Sequence, residues 1–318
     1  MRRWVVTGGV GFIGYHVTRA LLARGDDVTV IDDFSDAPYP TAMKARNEAD
    51  LASPRVEILR ACITDIEKTR AVYRGKDAVI HLAGLAGVRP SFDDPARYAR
   101  VNVEGTAAVL ENARACGIEQ VLFASSSSVY GNSTPLPAHE DAPAIVPESP
   151  YAATKRGAEL IASAMCRRAP RLSCSALRFF TVYGPRQRPE MAITLWARAI
   201  LARKAITVFG DGTMRRDFTH VDDIVRGVVA ALDQAPKGVR TYNLGSGAPV
   251  TLSELVTAMG HAAGRTVHVE RAPVPLGDVE ATFARIDRAQ TELGWKPGIT
   301  LDEGLLTVVK WLESEPAV

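Results

Sequence analysis

In Tyr151-Ala152-Ala153-Thr154-Lys155 a phenol and an ammonium stand four residues apart, the spacing that brings two side chains onto one face of a helix. A neighbouring positive charge favours the phenolate. Lys155 can thereby draw the phenol down from its reference pKa of ~10 and make Tyr151 a general base able to take the proton of an alcohol. The spacing alone is common on amphipathic helices, so it needs support from elsewhere in the chain. Ser125-Ser126-Ser127-Ser128 supplies it, following the apolar run at 121–124, with Ser126 standing 25 residues before Tyr151. Turn capping accounts for one or two of these hydroxyls but not for four. Ser126, placed to hydrogen-bond the reacting oxygen, joins Tyr151 and Lys155 as the candidate catalytic set.

An alcohol cannot be oxidised without somewhere for the hydride to go, and the start of the chain offers a site for an acceptor. Thr7-Gly8-Gly9-Val10-Gly11-Phe12-Ile13-Gly14 puts Gly8, Gly11 and Gly14 between an apolar run and a helical pattern. Such glycines allow a tight turn and close approach of the backbone to a pyrophosphate, met by the N–H groups at the helix start, here Phe12 and Ile13. Asp32 follows Gly14 by 18 positions. A carboxylate there can accept from both hydroxyls of an adenosine ribose and would repel a 2′-phosphate. With Asp33 next and no arginine immediately after, the cofactor read from the sequence is NAD, whose positive nicotinamide would act with Lys155 on the phenol.

Elements that position these groups can be read from the apolar pattern. Runs at 4–7, 28–31, 56–59, 78–82 and 121–124 read as buried strands, separated by helical stretches at 12–24 and 98–115 and by a helix beginning just after Pro150. Strand and helix alternate, which predicts an α/β fold of the Rossmann type, a doubly wound parallel sheet whose ligand sits at the carboxyl ends of the strands. Beyond about residue 180, prolines and glycines punctuate the chain at 184–185, 210–212, 245–247 and 273–277. This half reads as a smaller C-terminal α/β substrate-binding domain, with a helix at 251–262 opened by the capping pair Thr251 and Glu254. The expected division is 1–180 for cofactor and 181–318 for substrate, with segments near 219–248 returning to the first domain.

The 318 residues permit this two-part layout. Hydrophobic residues at 47% and charged residues at 23% exclude a disordered or collagen-like chain, and a net charge of +2 offers no field that would call for nucleic acid or an anionic membrane. Four scattered cysteines form no C-x-x-C pair and the histidines show no metal-binding spacing, so neither a metal nor a disulfide framework is expected. With no long apolar stretch, the expected location is cytoplasmic.

Taken together with His81-Leu82-Ala83-Gly84 and with Asn102 in Val101-Asn102-Val103-Glu104-Gly105-Thr106, these motifs resemble the extended short-chain dehydrogenase/reductase family. The resemblance continues through residues 178–189 and 215–223. The run Phe179-Phe180-Thr181-Val182-Tyr183-Gly184-Pro185, closing on Arg188-Pro189-Glu190-Met191-Ala192, is most like the UDP-glucuronate 4-epimerases. The resemblance implies that Tyr151 removes the proton of the sugar 4-hydroxyl while hydride passes from C4 to NAD. The 4-keto sugar then turns over and takes the hydride back on its other face. It also implies that Cys62, Ile63, Leu82, Ala83, Gly84, Asn102 and Phe179 line the cofactor. Arg216 would hold the nucleotide phosphates, Val208 and Phe209 the uracil, and Asp278 the nucleotide ribose, with Arg89, Ala192 and Ile193 at the substrate.

Sibling reactions differ in the residues just after Ser126. Dehydratases and decarboxylases of the family carry acidic residues there, whereas this chain has Ser127 and Ser128, leaving no acid to expel the 6-hydroxyl. Ser127, Ser128 and Thr181 can instead bind a sugar carboxylate, and Arg188 can pair with a carboxylate or phosphate; Arg186 and Arg188 read equally as solvated loop charges. The alternatives are a UDP-glucose/UDP-galactose 4-epimerase, a nucleotide-sugar dehydratase or decarboxylase, and a noncatalytic NAD-sensing protein. Three positions depart from the family pattern: Cys62 where an aspartate usually contacts adenine, Pro275 where galactose epimerases have an arginine, and Leu85-Ala86 in place of Ala-Gln. The family further implies a homodimer in which helices at 95–116 and 151–166 pack into a four-helix bundle.

Overall fold

In a computed structural model the structure describes residues 1–36, 39–275 and 278–315. The strands are β1 (Arg3–Thr7), β2 (Asp27–Asp32), β3 (Val56–Arg60), β4 (Ala78–His81), β5 (Gln120–Ser126), β6 (Ser173–Phe179), β7 (Thr181–Tyr183), β8 (Ile206–Phe209), β9 (Arg215–Arg216), β10 (Phe218–His220), β11 (Val239–Leu244), β12 (Val250–Thr251) and β13 (Val269–Ala272). Seven of them form one parallel sheet in the order β11-β6-β5-β4-β1-β2-β3. The order reverses between β1 and β4, so the loops leaving their carboxyl ends, the glycine loop and residues 82–87, face each other across the crevice where a doubly wound fold binds its ligand.

Both faces of the sheet are covered. On one, Val6, Val30, Ile80 and Leu177 pack beneath the helices Phe12–Ala23 and Val221–Gln234; on the other, Val5, Val79, Val121 and Cys174 pack beneath Gly105–Ala115 and Pro150–Arg168. Strand residues alternate between these two cores, as period-2 geometry requires. Cys166, at the end of the last of those helices, donates its thiol hydrogen bond to Cys174 Sγ at 2.8 Å.

The C-terminal half builds a further core from the helices Ala192–Leu201, Leu252–Ala263 and Leu301–Ser314 around Trp196, Leu255 and Val308. Three short pairs, β7 with β10, β9 with β12 and β8 with β13, stand apart from the seven-stranded sheet. The chain returns to the sheet through Val221–Gln234 and β11, which adds to the free edge of β6. The capping box at Thr251 and Glu254 forms as the spacing predicts.

The stretch at 98–115 departs from one continuous helix. It divides into Pro95–Ala99, a π-helical turn over Arg100–Glu104, and Gly105–Ala115. The widened turn brings Asn102 inward to bond Leu85 and Thr154, a tertiary demand that periodicity cannot register.

Candidate active site

Gly8 sits at φ 70°, in the left-handed region, and a β-carbon there would lie 2.6 Å from the Ala83 nitrogen. A β-carbon on Gly14 would fall 1.9 Å from the Gly8 carbonyl oxygen. The glycines therefore bring three pieces of backbone together, as their spacing predicts. The helix Phe12–Ala23 starts at Gly11 with no capping side chain and no acid in its first turn. Its first N–H groups and its dipole thus meet whatever anion occupies the turn, and the cradle fits a pyrophosphate.

At the end of β2, Asp32 is buried, with Oδ1 accepting from Phe34 N and from Lys44 Nζ, both at 2.9 Å. That leaves Oδ2 for the ribose hydroxyls. Lys44 also lies 3.6 Å from Asp33, whose carboxyl burial would push up; hydrogen bonds from Ser35 and the charge of Lys44 outweigh that and lower it. Sequence reading passed over Lys44, since a lysine twelve residues after an aspartate carries no signal until the helix Thr41–Asp50 folds back over the strand end. Lys44→Met is expected to weaken NAD binding about tenfold, the scale of one charge-assisted hydrogen bond that orients the ribose acceptor. Titration calorimetry with NAD checks this, and an unchanged affinity would leave Lys44 a purely structural ion-pair partner. Beyond β3, Cys62 Sγ bonds Thr64 Oγ1 at 3.1 Å, and Ile63 is buried against Gly105.

The structure separates the four serines. Ser125 donates to Glu159 Oε1 at 2.6 Å and belongs to the interior. Ser126, at the last position of β5, donates to Ser128 Oγ at 3.1 Å and accepts from Ser128 N at 3.2 Å. Ser127 and Ser128 begin the 3-10 turn Ser127–Tyr130 and are half-buried. Tyr151 lies in the first turn of the helix Pro150–Arg168, half-buried, its ring edge-on to Tyr98 at 6.3 Å. Burial pushes its phenol up, while the Ser126 hydroxyl and the Arg188 charge pull it down.

Burial prevails, and the phenol stands above its ordinary value. The Lys155 ammonium donates to Ala124 O at 3.0 Å, and its own pKa is lowered to about 8 by burial, with Glu159 opposing. The charge of Arg188 also draws the phenol down. A β-carbon on Gly84 would lie 3.2 Å from Lys155 Nζ, so Lys155 adjoins the loop at 82–84 that faces the cofactor cradle. His81 is buried between Thr7 Oγ1 at 2.7 Å and Thr106 Oγ1 at 3.0 Å, with a pKa lowered to about 3 by burial and by Lys155, so it is neutral and structural. Asn102, given by resemblance to the cofactor, accepts from Leu85 N at 2.8 Å and donates to Leu85 O and Thr154 Oγ1, both at 3.0 Å; it positions the loop against the helix of Tyr151.

Beneath this set lies a buried ion pair that sequence reading missed. Arg178, on β6, donates to both oxygens of Glu159 at 2.8 Å, one helical turn beyond Lys155, and to Glu140 O at 3.1 Å. Phe179, next on β6, stands opposite Ser126 in the sheet register. Thr181 then opens β7, its N–H donating to Asp217 O at 3.0 Å. Arg188 donates to Ala86 O at 3.3 Å and pairs with Glu190 at 2.9 Å.

At the far end of the crevice three expected substrate residues meet. The Arg89 guanidinium lies 4.8 Å above the Phe209 ring and 3.6 Å from Asp278. Arg216 is held by Arg215 O and Glu280 O at 2.9 and 3.2 Å, its pKa lowered by burial and supported by Asp278. Ile193 and Val208 send their side chains into the C-terminal core, leaving only main-chain groups for a ligand, while Ala192 is half-buried at the start of its helix. Of the segment 275–278, Leu276 and Gly277 lie outside the described residues.

A profile of the NAD dependent epimerase/dehydratase family matches residues 4–245. The chain is similar to a UDP-glucuronate 4-epimerase of Thermodesulfobacterium geofontis, 38% identical over 98% of this chain and 96% of that protein. Among solved structures it is similar to the UDP-glucuronic acid 4-epimerase of Bacillus cereus in complex with UDP-glucuronic acid and NAD, with a TM-score of 0.90 and 32% identity over 98% of this chain and 99% of that one. It is also similar to a Thermotoga maritima UDP-glucose 4-epimerase with UDP-glucose, with a TM-score of 0.87 and 29% identity over 98% of each.

Proposed function

The chain belongs to the NAD dependent epimerase/dehydratase family, and on that premise we propose that it interconverts UDP-glucuronate and UDP-galacturonate by NAD-dependent 4-epimerisation through a transient 4-keto sugar. The observation that carries the reading is the setting of Tyr151: a phenol beside Ser126, next to a turn whose leading residues are Ser127 and Ser128.

NAD fits the glycine cradle and Asp32, and when bound it supplies reversible hydride acceptance from the sugar C4. Ser126 hydrogen-bonds the 4-oxygen and Tyr151 takes its proton, then returns it after the keto sugar has turned. Lys155 holds the Ala124 strand end and places positive charge under the loop at 82–84. Arg89, Phe209, Arg216 and Asp278 grip the UDP half, which leaves the sugar free to rotate. Ser127, Ser128 and Thr181 hold the carboxylate with Arg188 as counter-charge, and Ser127 and Ser128 stand at the positions where an acid that could drive loss of the 6-oxygen would be placed.

Proton NMR of the protein with UDP-glucuronate and catalytic NAD tests this. UDP-galacturonate, with no pentose or unsaturated sugar, is expected; interconversion of UDP-glucose and UDP-galactose alone would instead favour the neutral-sugar epimerase. Thr181→Ala is expected to reduce kcat/KM for UDP-glucuronate about tenfold or more while sparing UDP-glucose, because a hydrogen bond to a charged group outweighs one to a hydroxyl. Equal losses on both sugars would remove Thr181 from the carboxylate site.

We further propose a cytoplasmic homodimer. Leu160, 55% exposed on the helix Pro150–Arg168, supports an apolar helix-to-helix contact there. Residues 1–180 with the returning stretch near 219–248 form the cofactor unit and the remainder of 181–318 the substrate unit, a division supported by β11 and Val221–Gln234 lying on the parallel sheet. Among the described residues no helix is long and apolar enough to cross a membrane.

A further inference from the structure

We propose that Arg186 is the pin of a latch between the sugar-binding segment and the cofactor cradle, and that it holds NAD in the site through both halves of the cycle. The proposal rests on the epimerase reading above, because an enzyme that takes a hydride and gives it back must keep the same nucleotide until the keto sugar has been reduced. A departure in between would release the keto sugar and leave the site without a hydride.

Arg186 lies between Thr181, at the start of β7, and Arg188, the cation beside Tyr151. Its backbone is at φ 68°, a left-handed conformation uncommon in a non-glycine residue and here held by its surroundings. Those surroundings all belong to the cofactor half. The guanidinium donates to Asn47 Oδ1 and Asp50 Oδ2 and lies 4.2 Å from the centroid of the Tyr15 ring. Its carbonyl accepts from Tyr39 Oη at 3.0 Å. The preceding carbonyl, of Pro185, accepts from His16 Nε2 at 2.9 Å; burial lowers the His16 pKa to about 4, so this is a neutral imidazole donating its one N–H.

The partners on the other side are the ones that shape the cradle. Asn47, 1% exposed, donates to Val10 O at 2.8 Å, within the glycine loop, and to Tyr39 Oη at 3.1 Å. Lys44, which holds Asp32 Oδ1, stands one turn earlier on the same helix, Thr41–Asp50. One helix thus carries the ribose clamp, the anchor of the pyrophosphate loop and, at Asn47 and Asp50, the receptor for Arg186. Pulling out the pin frees that helix to drift from the loop, loosening the ribose and pyrophosphate contacts together. The same arginine belongs to the segment that bears Thr181 and Arg188, so the latch ties that segment to the cofactor half.

The test compares the parent protein with Arg186→Ala, Arg186→Lys and Asp50→Asn. Each is passed through gel filtration, denatured and assayed for NAD and reduced NAD per subunit; dissociation of added NAD and UDP-glucuronate turnover with and without excess NAD are followed alongside. Arg186→Ala is expected to release NAD about tenfold faster or more, to emerge depleted, and to recover most of its kcat in excess NAD. Arg186→Lys and Asp50→Asn should lose less, and Asp50→Asn keeps the test open if the alanine variant does not fold. Parent-like NAD content and dissociation in a folded Arg186→Ala protein overturn the proposal, as does a loss of kcat that excess NAD leaves unrepaired. If the variants shed NAD while the parent fails to epimerise UDP-glucuronate, the latch stands and the substrate reading falls.

Discussion

Tyr151→Phe is expected to lower kcat by about a thousandfold while leaving bound NAD and the melting temperature unchanged. The substitution removes one oxygen. Its ring contact with Tyr98 survives, and positioned general acid–base groups contribute roughly two to four orders of magnitude. Ser126→Ala should cost less, because a lost hydrogen bond leaves the proton acceptor in place. The pH profile separates the base from a merely structural tyrosine. Only the phenolate takes the 4-hydroxyl proton, so kcat/KM rises with pH as the phenol ionises. Burial places that limb high, and Ser126 and Arg188 draw it down. Arg188→Met should therefore move the limb to higher pH. A limb that stays where it was, or a Tyr151→Phe enzyme within tenfold of the parent, would take the proton transfer away from Tyr151.

Arg178→Ala is the substitution expected to do most damage to the fold, destabilising it by about 3–5 kcal/mol, because it leaves the Glu159 carboxylate buried with most of its positive charge removed. Arg178 is 1% exposed and holds Glu159 through two bonds of 2.8 Å, with the Tyr130 ring 4.7 Å from its guanidinium. Burial raises the Glu159 carboxyl, and the bonds from Arg178, Ser125 and Arg156 more than reverse this, so the pair is ionised as it stands. A thermal melt should fall by roughly 10 °C. Replacing both partners, Arg178→Met with Glu159→Leu, should cost less than Arg178→Ala alone, since no charge is then stranded. If the double variant melts no higher than the single one, the ion-pair account fails and the loss belongs to packing around β6.

The groups that perform the chemistry were legible because their relationships are local. Gly8, Gly11 and Gly14 lie within one strand–turn–helix, and Tyr151 and Lys155 within one helical turn, so the covalent spacing already sets the geometry. The parallel sheet was legible from alternating apolar runs, and the crevice at its carboxyl edge from the same doubly wound logic. Sequence spacing also put Tyr151 and Lys155 on one helix face, but side chains point where their neighbours let them, and the fold directs Lys155 to Ala124 O.

What tertiary structure alone decided are pairings across long separations. Lys44 meets Asp32, Arg178 meets Glu159 and Glu140, Arg89 meets Phe209 and Asp278, and Arg186 meets Asn47 and Tyr15. It also divided the serines, sending Ser125 to Glu159 and leaving Ser126 at the strand end. None of these pairs has a spacing that signals contact. Each depends on which helix crosses which strand end and in what register, which packing of the whole sheet determines and no local rule contains.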